Sequence, residues 1–309
     1  MTQNRIEDWI YHYGKDGVYV SFSGGKDSTV LLDIVRKLHP DTLAVYVDTG
    51  LEYPEIREFV KSFNNVEWLS PKKTFKQVIK EYGYPFISKE VSDKVQGARK
   101  YVRALEESTR PVPTERYKQV MGKATKKDGS PSAYNLSKYQ FFLDAPFEIS
   151  AKCCNVMKKA PVHAFGKETG RKPMTAQMAS ESLIRTTQWV KNGCNGFNMK
   201  SPISHPMSFW TEQDVLRYIK ENNLSICSVY GEIEEVNGKL VTTGCDRTGC
   251  MFCGYGCHLE NPGKGRFLRM KETHPKQYDY IMRPTDKGGL NYKEIIDWIN
   301  ENGGFHIEY

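Results

Sequence analysis

At 309 residues, with 39% hydrophobic and 26% charged side chains, the chain can bury a real core as one large domain or as a domain with an appendage. No apolar run approaches a membrane span and the first eight residues lack the apolar core of a signal peptide, which argues against a membrane class and points to the cytoplasm. Eight cysteines then argue for thiols, metal ligands or redox chemistry over a disulfide framework, and the net charge of +7 suits an anionic partner.

In chain order, residues 6–13 have the spacing of a short amphipathic helix. Val18-Tyr19-Val20 is a β-type run, followed by Ser21-Phe22-Ser23-Gly24-Gly25-Lys26-Asp27-Ser28-Thr29 and then an apolar helical stretch that ends near Pro40. Residues 42–47 form a second strand, nearly continuous in β-favouring residues, as buried parallel strands are. Helices over 54–63 and 74–82 flank a third strand at 66–69. Strands alternating with helices make a doubly wound parallel sheet, an α/β fold. Residues 108–143 break the rhythm with prolines, glycines, basic residues and tyrosines, and read as an insertion that is mobile in part. A helix at 154–165, a strand at 172–176 and helices at 181–191 and 211–221 restore the pattern. Residues 233–240 form a hairpin around Asn237-Gly238, and helices at 274–282 and 292–302 close the chain. The expected domains are a nucleotide-binding α/β domain over 1–223 and a Cys-rich segment over 224–309.

A strand, a glycine turn and a helix start make an anion site, because unpaired amide N–H groups and the positive end of the helix dipole face one point. Gly24 and Gly25 admit an anion to the backbone, Lys26 adds charge on an exposed side chain, and Ser23 and Ser28 offer hydroxyls. This is not a Walker A loop. Val20 stands where that motif has its first glycine, and Asp27 where it has Ser or Thr. Asp48, at the end of the second strand, sits where doubly wound sheets bind ligands; it suits magnesium, a ribose or the capping of its own turn. Between Lys89 and Lys138, twelve Lys or Arg stand against six Asp or Glu, a segment suited to a nucleic acid or to a solvated face.

The string Ser-Gly-Gly-Lys-Asp-Ser resembles the PP-loop of ATP pyrophosphatases and of the phosphoadenosine phosphosulfate (PAPS) reductase family, in the adenine nucleotide alpha hydrolase-like superfamily. Asp48-Thr49-Gly50 and Glu181-Ser182-Leu183-Ile184-Arg185 resemble two more of that family's segments, as does the Trp210-Thr211 pair that opens a helix. The resemblance implies that Ser21, Ser23, Gly24, Gly25, Lys26, Asp27, Ser28, Asp48, Thr49, Gly50, Glu181, Ser182 and Arg185 bind ATP or a sulfonucleotide (adenylyl sulfate or PAPS), with Mg2+ on the phosphates and with Lys26 and Asp48 in catalysis. Cys153-Cys154 with the later Cys250-Met251-Phe252-Cys253 resembles the [4Fe–4S] ligand set of adenylyl-sulfate reductases. Thiolate sets of four also suit zinc, and Cys245 and Cys257 compete as ligands.

Two positions depart from the family. Met178 stands where the family carries an arginine for the phosphosulfate end, and the tail Glu301-Asn302-Gly303-Gly304-Phe305-His306 lacks the nucleophilic cysteine of sulfonucleotide reductases. The expectation is therefore an ATP-pyrophosphatase-type sulfurtransferase, with Cys194 or Cys257 as candidate thiols, a nucleic-acid acceptor on the 89–138 segment and a separate sulfur-donor protein. The alternatives are a divergent sulfonucleotide reductase and a non-catalytic nucleotide and redox sensor that binds a partner protein.

Overall fold

The computed structural model describes residues 1–107 and 112–309, so the first four residues of the expected insertion lie outside the described ones. The chain forms two compact units, each built from two separated segments. The first comprises Met1–Lys72 and Met157–Cys250, the second Lys73–Val156 and Met251–Tyr309.

The first unit is built on a six-stranded sheet. In spatial order its strands are Val66–Leu69, Ala44–Val47, Val18–Ser21, Lys172–Met174, Ile203–Ser204 and Asn195–Gly196. All neighbours are parallel except the last pair, where Asn195 faces Ser204 in an antiparallel edge. From the central strand Val18–Ser21 the chain winds outward on one side, then returns to pair Lys172–Met174 on the other. Right-handed crossovers in opposite directions put helices on both faces, which makes the sheet doubly wound and leaves a crevice at the reversal point. The central strand and Ala44–Val47 are buried almost throughout because helices cover both faces.

Around the sheet, Ile6, Trp9, Val30, Leu31, Val35, Ile56, Val60 and Met178 join one core. The amphipathic first helix runs Thr2–Tyr13 and buries Ile6, Trp9 and Ile10. The hairpin Ile233–Val236 with Lys239–Thr242 turns at Asn237 and Gly238, both at positive φ, as the Asn-Gly pair requires.

The second unit carries the helices Phe75–Tyr82, Lys89–Glu106, Glu115–Val120, Arg266–Thr273, Pro275–Met282 and Tyr292–Gly303, with a two-residue parallel pairing of Phe86–Ile87 with Gly254–Tyr255. Its interior holds Phe86, Phe142, Phe267, Tyr292, Ile296 and Ile299. Lys89–Glu106 is an 18-residue helix that the charge pattern hid; Ser88 caps it, and Val91, Val95, Ala98 and Tyr101 form its buried stripe. Among the described residues no helix is long and apolar enough to cross a membrane.

Candidate nucleotide site

The glycine loop leaves the central strand at its carboxyl end and enters the helix Lys26–Leu38. Gly24 has φ +71°, and a Cβ there would lie 2.8 Å from Cγ2 of both Ile56 and Val60. The first glycine is thus required twice, by its backbone and by its neighbours. A Cβ on Gly25 would press within 3.2 Å of the Tyr230 hydroxyl and of Thr248 Oγ1.

The serines brace the loop. Ser28 Oγ donates to the Gly25 carbonyl (2.9 Å) and accepts the Ser23 amide (3.1 Å), while Ser23 Oγ accepts the Gly25 amide (3.3 Å). Ser28 is therefore a structural member of the turn in this arrangement. The Lys26 amide, first in its helix, donates to the Tyr230 hydroxyl at 3.0 Å, and that hydroxyl also pairs with Thr248 Oγ1 at 2.7 Å.

Lys26 corrects the expectation of an exposed side chain, since the residue is only 4% exposed. Its Nζ lies 3.1 Å from Glu212 Oε1 and 3.5 Å from Asp27 Oδ1, and donates to the Asp246 carbonyl at 3.1 Å. Burial opposes its charge, but Asp27, the Tyr230 ring and Glu212 together outweigh it and hold its pKa above the ordinary value. Burial, partly offset by Lys26, pushes the Asp27 carboxyl up.

A cavity of about 950 Å³ opens over the loop, within the range of small-molecule sites. Ser21, Ser23 and the loop residues from Gly25 to Ser28 line one side; Glu181, Arg185, His205, Lys239 and Arg247 are among the residues lining the rest. Ser182 caps the helix Leu183–Asn192 by accepting the Arg185 amide, and Glu181 pairs with the Arg185 guanidinium. His205 is pushed down to about 4 by burial and then by Arg185, and its Nδ1 lies 2.6 Å from Thr175 Oγ1. Met178 is buried in the core, as an apolar side chain should be.

A second recess of about 280 Å³ shares Ser21, Ser23 and Thr248 with the first and is also lined by Tyr46, Glu52, Lys158 and His163. The Tyr46 hydroxyl is buried, with no hydrogen-bond partner among the described residues. Lys158, on a π-helical turn Asn155–Lys159, reaches Glu52 at 3.3 Å, and burial of its ammonium is outweighed first by the charge of Cys250 and then by Glu52. Beside this recess, Asp48 caps its own turn through the Gly50 amide (3.2 Å) and pairs with Arg57 (2.8 Å), while Thr49 bonds Glu52 (2.8 Å). Sequence reasoning did not single out Tyr230, Arg247, Lys158 or Glu52. Each is an isolated polar residue whose role depends on tertiary placement.

The remaining cysteines divide between the units. In the first, Cys245 and Cys227 are both buried and close enough for Cys245 to raise the Cys227 pKa, after burial and Glu55. Cys194 is half-buried beside the antiparallel edge, and its carbonyl accepts the His205 amide. In the second, Cys154 and Cys253 lie within each other's field, and Cys153, Cys154 and Cys253 together act on the Tyr255 hydroxyl. Burial pushes the Cys253 thiol up, and pushes Cys257 up to about 12, where Sγ donates to the Gly254 carbonyl. Thiol donors are of the type that iron–sulfur or zinc centres take; of the four expected ligands Cys250 falls in the first unit and Cys153, Cys154 and Cys253 in the second. Among the described residues no three His, Cys, Asp or Glu side chains are grouped closely enough to hold a metal ion.

A mostly parallel α/β sheet whose central strand feeds Ser-Gly-Gly-Lys-Asp-Ser into a helix defines a PP-loop nucleotide-binding fold. Residues 17–255 match the phosphoadenosine phosphosulfate reductase domain, and the chain belongs to that family. An uncharacterized protein of Methanocaldococcus jannaschii is 22% identical over 280 residues; the match covers 90% of this chain but only 50% of the relative, so the chain spans about half of that protein's length. A crystal structure of a phosphoadenylyl-sulfate (PAPS) reductase from Candida auris, in a phosphate complex, aligns at a TM-score of 0.41 and 15% identity, over 77% of this chain and 89% of that one.

Proposed function

We propose that the chain is a cytoplasmic sulfurtransferase that binds ATP and activates an acceptor for sulfur transfer. The observation that carries this reading is the braced glycine loop opening onto the 950 Å³ cavity with Lys26 and Arg185 around it. In the first step an acceptor oxygen attacks the α-phosphorus of ATP, forming an acceptor–AMP ester and releasing pyrophosphate. In the second a sulfide or thiolate displaces AMP, so that a carbon–oxygen or phosphorus–oxygen bond is exchanged for one to sulfur. Mg2+ would neutralise the phosphates, and a cluster on Cys153, Cys154, Cys250 and Cys253 would supply sulfide or electrons when bound. Met178 favours ATP over a sulfonucleotide, because a buried thioether gives a sulfate no ion pair.

The acceptor we favour is a nucleic acid on the basic 89–138 segment. Part of that charge is spent internally, Arg116 on Asp93, Lys118 on Glu115 and both Arg99 and Arg103 on Glu148, which leaves lysines such as Lys123, Lys126 and Lys127 to meet phosphates. Family membership favours one second reading, a divergent sulfonucleotide reductase. Anaerobically purified protein incubated with ATP and Mg2+ or with adenylyl sulfate separates the two: pyrophosphate and AMP support the sulfurtransferase, and sulfite release from adenylyl sulfate overturns it.

A further inference from the structure

Four basic side chains, Lys26, Arg185, Lys239 and Arg247, line the 950 Å³ cavity. Lys26 is committed to Glu212 and Asp27, and Arg185 to Glu181. Among the described residues neither Lys239 nor Arg247 has a carboxylate within ion-pair distance. Both come from outside the segments that resemble the family's nucleotide motifs: Lys239 opens the second strand of the hairpin, and Arg247 lies in the loop between Cys245 and Cys250. Arg247 stands close enough to Arg185 and Asp27 to act on both, adding to the burial that lowers the Arg185 pKa and, with Lys26, opposing the burial that raises that of Asp27. Arg185 has Glu181 as its counter-charge, whereas the Arg247 guanidinium beside it is left to meet an anion in the cavity.

We propose that Arg247 and Lys239 form a second oxyanion subsite of this cavity, which takes the charge a nucleotide carries beyond its α-phosphate. The proposal rests on the cavity being a nucleotide site. It gives the loop between Cys245 and Cys250 a part in substrate selection, and it places a cation for the distal group on a different element from position 178. Arg247 presents a planar fork that matches the oxygens of phosphate or sulfate, and Lys239 adds a mobile point charge.

Calorimetry with AMP, ATP and adenylyl sulfate on Arg247→Ala and Lys239→Ala tests this. Both residues are exposed, so the variants should keep the wild-type circular dichroism and melting curve. Arg247→Ala should weaken ATP about ten- to a hundred-fold and leave AMP within about two-fold. Arg247→Lys should fall between, since charge without the fork recovers part of the affinity. Parallel weakening with adenylyl sulfate assigns the subsite to sulfate as well, and weakening with ATP alone to phosphate. Unchanged ATP affinity, or equal weakening for AMP and ATP, overturns the subsite. A wild type that binds neither AMP nor ATP removes the nucleotide reading, and the subsite with it.

Discussion

Lys26→Met removes an ammonium while keeping most of the apolar stem, so it separates charge from packing. In the folded chain that ammonium lies 3.1 Å from Glu212, 3.5 Å from Asp27 and 3.1 Å from a carbonyl it donates to. Its removal leaves the Asp27 carboxylate without its main counter-charge in an enclosed site, whereas Glu212, 55% exposed at its side chain, rehydrates. A hydrogen bond to a charged group contributes roughly 1.5–3 kcal/mol, and the hydration of Glu212 puts the destabilisation at the low end, about 1.5 kcal/mol. Under the proposed function, the same substitution should also weaken ATP about ten- to a hundred-fold by taking away the ammonium that would meet its phosphates. Amide exchange in the helix Lys26–Leu38 reports on the first unit directly and is the better stability assay, with calorimetry for the nucleotide. Unaltered ATP affinity would refute the role of Lys26 in the site. Unaltered exchange alongside weakened affinity would refute the claim that its ion pairs stabilise the unit.

Four further outcomes follow from the same residues. Gly24→Ala should destabilise the first unit by about 1–3 kcal/mol and abolish nucleotide binding, because a Cβ meets Ile56 and Val60 in a left-handed backbone; a wild-type melting curve would count against it. His205 should make stability fall as pH drops from about 6.5 towards 4, since the unfolded imidazole gains a proton that the folded one resists; the effect reaches ~3 kcal/mol, and His205→Gln should remove that slope from pH-dependent unfolding. Anaerobic preparations should contain iron and sulfide that are missing from Cys153→Ser and Cys253→Ser, whereas stoichiometric zinc without iron would reject the cluster. Neutralising Lys123, Lys126 and Lys127 should flatten the salt dependence of nucleic-acid binding by about one unit of slope for each phosphate no longer neutralised, and an unchanged slope would move the acceptor elsewhere.

The first two strands and their helices were legible in the sequence because each strand has a nearly continuous run of β-favouring residues closed by a turn; the third, Val66–Leu69, is interrupted by Glu67 yet matches residue for residue. The strands Ile203–Ser204 and Asn195–Gly196 were not, because two residues with alternating polar neighbours carry no periodic signal and acquire strand geometry only by docking on a finished edge. Lys89–Glu106 was obscured by its charge, although Val91, Val95 and Ala98 have helical spacing. At the site, the glycine motif predicted the turn and the helix start after it, whereas the Ser23, Gly25 and Lys26 amides expected to be unpaired donate to Ser28 Oγ, Ser23 Oγ and the Tyr230 hydroxyl. The burial of Lys26 was invisible, since it depends on Glu212 and Asp246, each about two hundred residues away.

The interleaving of the two units has a consequence for synthesis and for truncation. The chain passes from one unit to the other after Lys72, after Val156 and after Cys250. The central strand Val18–Ser21 gains its second neighbour only once Lys172–Met174 has left the ribosome, so for about 150 residues of translation one edge of the nascent sheet lies open. A fragment ending at residue 72 or 156 lacks half the sheet. A chain cut after Cys250 keeps both segments of the first unit but also carries Lys73–Val156 stripped of Met251–Tyr309, so no single cut yields either unit on its own.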